Sequence, residues 1–178
     1  MPNKDKTWEE VGNTKTADNG RVRDAFKNGM ATKVFLKPAF KLYKFNEYKT
    51  LTAPGIDEVS PWWSPYEAYE WDPGWNARKK MAADLHVNIR ELGRVTSAIK
   101  ENWNSLSYLL VIQVQKGAYG YFGGFAQMTR LDVGKDSKRD PKIEASGGTK
   151  NLPGGGTQFY IPDLKTNDVL LVSVESLG

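Results

Sequence analysis

The chain contains no cysteine and a single histidine. Without thiols there can be no disulfide framework, no Cys-ligated zinc and no cysteine-protease nucleophile, and one imidazole cannot build a multi-histidine metal centre. No metal is expected. Long apolar runs are also missing: mean hydropathy is −0.57, and no stretch approaches the roughly 18 to 20 apolar residues that a membrane-spanning helix needs. Membrane insertion is therefore not expected. The first ten residues are polar and charged and lack the apolar stretch of a secretory signal, so any export needs a specialised route. Charge of one sign is scarce too. The chain sets 25 Lys and Arg against 21 Asp and Glu, a net +4, and the signs alternate closely, as in Lys135-Asp136-Ser137-Lys138-Arg139-Asp140. A pI near 9.1 allows weak attraction to nucleic acid. Zinc-finger spacing, basic-region heptads and RRM-type aromatic motifs are all missing, so a solvated surface accounts for the charge.

What is present suits one domain with one sizeable core, given 178 residues. Residues 1–33 are rich in Lys, Asp, Asn, Thr and Gly and show no sustained period. They read as a flexible polar leader with a short helix at 21–27, ahead of a folded domain over 34–178. Leu42-Tyr43-Lys44-Phe45 reads as a strand, and 53–75, with four prolines and four tryptophans, as a turn-rich segment. Asp72-Pro73-Gly74 looks like a helix entry capped by Asp. Apolar residues at Met81, Leu85, Leu92, Val95, Ile99 and Trp103 predict one long amphipathic helix over 76–103, with a break near Gly93. Strands are predicted at 106–114, 157–161 and 169–175, the first of them central, with a long surface loop over 132–151. This order gives an α+β fold with a mostly antiparallel sheet.

The most specific stretch is Leu152-Pro153-Gly154-Gly155-Gly156-Thr157-Gln158-Phe159-Tyr160-Ile161-Pro162. Three glycines before a strand allow close backbone approach, and they deliver Gln158 at the strand's mouth, where a polar side chain can project into a cleft. It is not a nucleotide P-loop, because no Lys-Ser or Lys-Thr follows the glycines and a strand replaces the helix. A plain hairpin loop with Gln158 as an edge residue is the competing explanation.

This block resembles the last catalytic strand of the ADP-ribosyltransferase superfamily, with Gln158 in the slot where the clostridial Rho-modifying transferases carry a catalytic Glu. The Gly-Gly-Gly-Thr-Gln string is also similar to the tuberculosis necrotizing toxin group of NAD glycohydrolases, which place a Gln there. Leu42-Tyr43-Lys44 resembles the first strand of the superfamily, which usually ends in Leu-Tyr-Arg with the Arg on the NAD phosphates. Here Lys44 stands for that Arg and can act only as a point charge. Ser60 lies where the family has a Ser-containing strand supporting the nicotinamide pocket. The resemblance implies an ADP-ribosyltransferase-like split sheet, NAD or NADP as substrate, and Gln158 as the catalytic residue with Gln127 as a second polar group. It also implies binding by Tyr43, Lys44, Ser60, Trp62, Trp63, Gly155 and Gly156. Gln158 keeps the hydrogen bonds of a Glu but cannot serve as a general base for a protein nucleophile, which favours water as acceptor. A toxin domain of this kind would be a monomer, delivered into the cytoplasm of a target cell and matched by a cognate immunity protein in the producer.

Two other readings stand beside it. One is a transferase that modifies a protein or nucleic acid. The other is a carbohydrate- or partner-binding module built on the aromatic stretch Trp62, Trp63, Tyr66, Tyr69, Trp71 and Trp75. His86 reads as a surface helix residue, and Glu67, Glu70 and Asp72 as a weak candidate for a glycosidase carboxylate pair.

Overall fold

The computed structural model describes residues 1–17, 19–99, 104–129, 151–152 and 154–178. Among these, the elements run α1 (Trp8–Gly12), β1 (Thr32–Leu36), β2 (Lys41–Asn46), β3 (Trp62–Pro65), α2 (Trp75–Asp84), α3 (Ile89–Thr96), β4 (Tyr108–Val114), β5 (Ala118–Gly124), β6 (Met128–Thr129), β7 (Asn151–Leu152), β8 (Thr157–Tyr160) and β9 (Val169–Ser176). Seven strands form one sheet in the order β1-β5-β8-β3-β2-β4-β9, every neighbouring pair antiparallel, while β6 and β7 pair separately. The fold is α+β. The expected surface loop lies outside the described residues except for Asn151, which pairs in β7.

Period-two alternation sorts the side chains into layers. Leu42 of β2 and Leu110, Ile112 and Val114 of β4 join Phe122 of β5 and Phe159 of β8 in one apolar cluster. That cluster draws on both halves of the sheet, which meet at the four-residue strand β3. The alternate residues Tyr43, Phe45, Leu109 and Val111 face a second cluster with Trp75, Ile89 and Ile99, under α2 and α3. On the other half, Tyr121 and Tyr160 meet Trp8, Val11, Val22 and Phe26 of the N-terminal segment.

That last cluster corrects the reading of residues 1–33 as a loose leader. Thr7 and Glu10 close a reciprocal capping box on α1, 3₁₀ turns follow at Val22–Ala25 and Lys27–Gly29, and the Asn3 amide donates to the carbonyls of Tyr119 and Pro162. Few apolar residues are needed, because the sheet supplies the other side of the contact.

The single long helix is also corrected. Among the described residues it is two helices, separated at 85–88, where His86 has a φ of 54° and the Asn88 side chain caps α3 through the Arg90 N–H. The buried face of α2 is Trp75, Arg78 and Ala82, so Met81 and Leu85 of the apolar stripe are exposed. Gly93 is no break. It lies within α3 and lets the helix approach β2, where an added Cβ would stand 2.3 Å from Phe45 Cζ. Asp72 does not cap α2 through its first turn; Gly74 is the N-cap and Asp72 is buried. The 106–114 strand is interior, but β3 rather than β4 is central.

Candidate active site

The N-terminal segment covers one half of the sheet and the helices cover the other. Between them the middle strands face a cavity of about 640 Å³, within the roughly 300–1,000 Å³ range of small-molecule sites. Strand β2 contributes Tyr43, Lys44 and Phe45; β3 contributes Trp62, Trp63 and Ser64; β8 contributes Gln158. Arg21, Asp24 and Ala25 form the N-terminal wall, and Ser97, Ile99 and Asn104 the wall after α3.

Gln158 is 3% exposed and donates through Nε2 to the Ala25 carbonyl at 2.8 Å. The residue before it is clamped. The Thr157 N–H and hydroxyl donate to Asp72 Oδ2 at 3.1 and 2.9 Å, and the same oxygen accepts from Arg78 at 3.0 Å. Asp72 Oδ1 accepts from the Gly74 N–H. Ser64 Oγ donates to the Thr157 carbonyl at 2.9 Å. A buried ion pair thus ties the start of α2 to the strand that carries Gln158. Burial pushes the Tyr43 phenol well above its ordinary value, against the smaller opposing effects of Arg78 and a hydrogen bond with Ser64, so it stays protonated.

Lys44 shares the strand parity of Leu42, and its ammonium lies 5.7 Å from the centroid of the Trp63 ring. Desolvation lowers its pKa to about 8. Trp63 is held by its indole N–H on the Ser60 carbonyl.

Of the residues singled out from sequence, the cavity brings together Gln158, Tyr43, Lys44, Ser60, Trp62 and Trp63. It does not include the other three. Gln127 is exposed beyond the end of β5, between the lining residues Ala126 and Met128. Gly155 is exposed with a φ of 103°, and Gly156 is spent on backbone pairing with Thr96 and Phe125. The glycines shape the entry to β8 instead: at Gly154, with a φ of 80°, an added Cβ would stand 2.7 Å from the Phe125 carbonyl oxygen. Trp75 is a core residue, while His86, Glu67 and Glu70 are exposed and do not line the cavity. Sequence reasoning missed Arg21, Asp24, Ala25, Ser64 and Asn104. Only Ser64, adjacent to the Trp pair, lay in a stretch already marked.

Comparison with family models and with curated proteins returns no match. Among solved structures, Rhs1-CT in complex with its cognate immunity protein RhsI1 is similar at 16% identity and a TM-score of 0.47, over 83% of this chain and 82% of that one. Tne2 in complex with Tni2 is similar at 8% identity and a TM-score of 0.46, over 83% of this chain and 92% of that one. At TM-scores below 0.5 neither similarity bears on function, which rests on the cavity.

Proposed function

We propose that this chain is a toxin domain that cleaves the nicotinamide–ribose bond of NAD with water as acceptor. One observation carries the reading: Gln158, Tyr43 and Trp62 reach a single cavity from neighbouring strands, with the cation Arg21 also in its lining. Bond breaking sends the electron pair to the nicotinamide nitrogen and leaves oxocarbenium character on the ribose. Water then bonds to that carbon and loses a proton to solvent, giving ADP-ribose. The amide of Gln158 suits such a site. Its Oε1 can accept from a ribose hydroxyl and faces developing positive charge without needing to be ionised. Aromatic rings in the lining add stacking on the cationic nicotinamide, worth roughly 0.5–2 kcal/mol. Arg21 supplies charge for the phosphates. The resemblance of the Gly-rich strand extends the proposal to delivery into a target cell and to an immunity protein covering the cavity mouth.

The test is nicotinamide release by the purified chain with no protein acceptor. Wild type is expected to turn over NAD, with Gln158→Ala slower by about 100- to 1,000-fold, the scale set by loss of a transition-state hydrogen bond. A wild type that leaves NAD intact over hours, indistinguishable from Gln158→Ala, overturns the reading. Radiolabel passing from NAD to a macromolecule in lysate, with little free ADP-ribose, would replace hydrolysis with transfer.

A further inference from the structure

The hydrogen bond from Gln158 to the N-terminal wall sets which group position 158 can carry. A carbonyl oxygen only accepts, so the Ala25 carbonyl fixes Nε2 against the wall. Among the described residues Oε1 accepts no hydrogen bond, and it is the end of the amide left for a ligand. The carbonyl itself is anchored, because it also accepts from the Ala126 N–H at 3.0 Å, beside the antiparallel bridge between Phe26 and Phe125. It cannot swing away without breaking that bridge. A carboxylate at 158 would place an anionic oxygen against a carbonyl oxygen, with no proton between them, at a site that is 3% exposed.

We propose that the Ala25 carbonyl selects an amide over a carboxylate at position 158. It thereby withholds the side-chain base that a protein nucleophile would need there and leaves water as the acceptor. The consequence for the reaction rests on Gln158 being the catalytic group; the selection itself does not. The charged and titratable side chains around the position are Arg21 and Asp24 on the N-terminal wall, Tyr43 and Lys44 on β2, and the Asp72–Arg78 pair behind Thr157. Asp24, whose Oδ2 accepts from the Arg21 N–H, adds to the repulsion. Arg21 and Lys44 act against it, and Asp72 and Arg78 offset each other.

The experiment compares thermal midpoints of wild type, Gln158→Glu and Gln158→Leu at about pH 8 and about pH 5. A Glu at 158 takes a raised pKa, so its cost is complete above that pKa and is relieved as pH falls through it, when the protonated carboxyl donates to Ala25. The gap between wild type and Gln158→Glu is expected to be on the order of 5 °C at the higher pH and to shrink at least twofold at the lower. The gap for Gln158→Leu stays level, because it reports only the surrounding groups. A gap for Gln158→Glu that is absent, level or wider on acidification overturns the proposal. If Gln158→Glu folds only at the lower pH the proposal stands, and if it folds at neither it falls. The wild type gives a second reading: one side-chain amide proton of Gln158, assigned by its loss in Gln158→Ala, should exchange slowly with solvent, and fast exchange of both protons counts against the bond. None of these readouts uses NAD. An inert wild type with a shrinking gap would sink the catalytic reading and keep the selection, whereas an active wild type with a level gap would do the reverse.

Discussion

Lys44 is a half-buried cation with no carboxylate beside it among the described residues, and only the Trp63 ring stands in for a counter-charge. Desolvation holds its pKa at about 8, against 10.5 for the free side chain. Between those two values the unfolded chain binds more protons than the folded one, so stability rises with pH across that window. Below about 8 the cost of the desolvated ammonium is present in full. Lys44→Met is therefore expected to stabilise the protein at neutral pH by about 1–3 kcal/mol, a rise in Tm of roughly 3–8 °C. Its advantage should fade as pH climbs from 8 to 10.5. Calorimetry at the two ends of that window checks it. A variant that melts below wild type at neutral pH would mean that stem packing on Trp63 outweighs the desolvation. Sequence made this residue visible only through the resemblance of Leu42-Tyr43-Lys44 to a family strand that ends in Leu-Tyr-Arg. Its desolvation was not visible, because that depends on the strands on either side.

At the scale of elements, the clamp of Asp72 on Arg78, Gly74 and Thr157 joins the start of α2 to β8 and fixes the strand one residue before Gln158. Asp72→Ala would leave Arg78 buried without its partner and two Thr157 donors unsatisfied, a loss of about 3–5 kcal/mol. Adding Arg78→Met to that variant should recover part of the loss, because it removes the orphaned charge. Chemical denaturation of the two singles and the double measures the coupling. A double variant as unstable as the sum of the singles would mean that the pair does not interact as drawn. The sequence reading found both segments and misread their relation. An Asp before Pro-Gly has the look of a cap, and the pairing that recruits it to Thr157 spans 85 positions. Likewise, strands β2, β4, β8 and β9 were legible from β-branched and aromatic runs. The 85–88 break was hidden, because Met81 and Leu85 keep a helical spacing on a face that packs against nothing.

For the whole molecule, the decisive question is whether the first 33 residues are an appendage, as their composition suggests, or part of the core. Polar composition conceals a few well-placed contacts. Val11, Val22 and Phe26 are buried to 4%, 1% and 2% exposure and close over Tyr121, and the same segment supplies Arg21, Asp24 and Ala25 to the cavity. At about 1.5–3 kcal/mol for each fully buried apolar side chain, these three contribute on the order of 5–9 kcal/mol. That is comparable to the whole stability of a domain, about 5–15 kcal/mol. Deleting residues 1–29 is therefore expected to abolish a cooperative thermal transition, not merely to lower it. The single substitution Phe26→Ala should cost about 3–5 kcal/mol and slow nicotinamide release, because the cavity left in the cluster of Val11, Val22 and Tyr121 loosens the segment whose neighbouring Ala25 carbonyl holds Gln158. Circular dichroism melts of the shortened chain and of Phe26→Ala separate the two views. A shortened chain that melts cooperatively within a few degrees of the full one would make the segment an appendage. The wall that orients Gln158 would then be dispensable to the fold, and its role would be confined to the site.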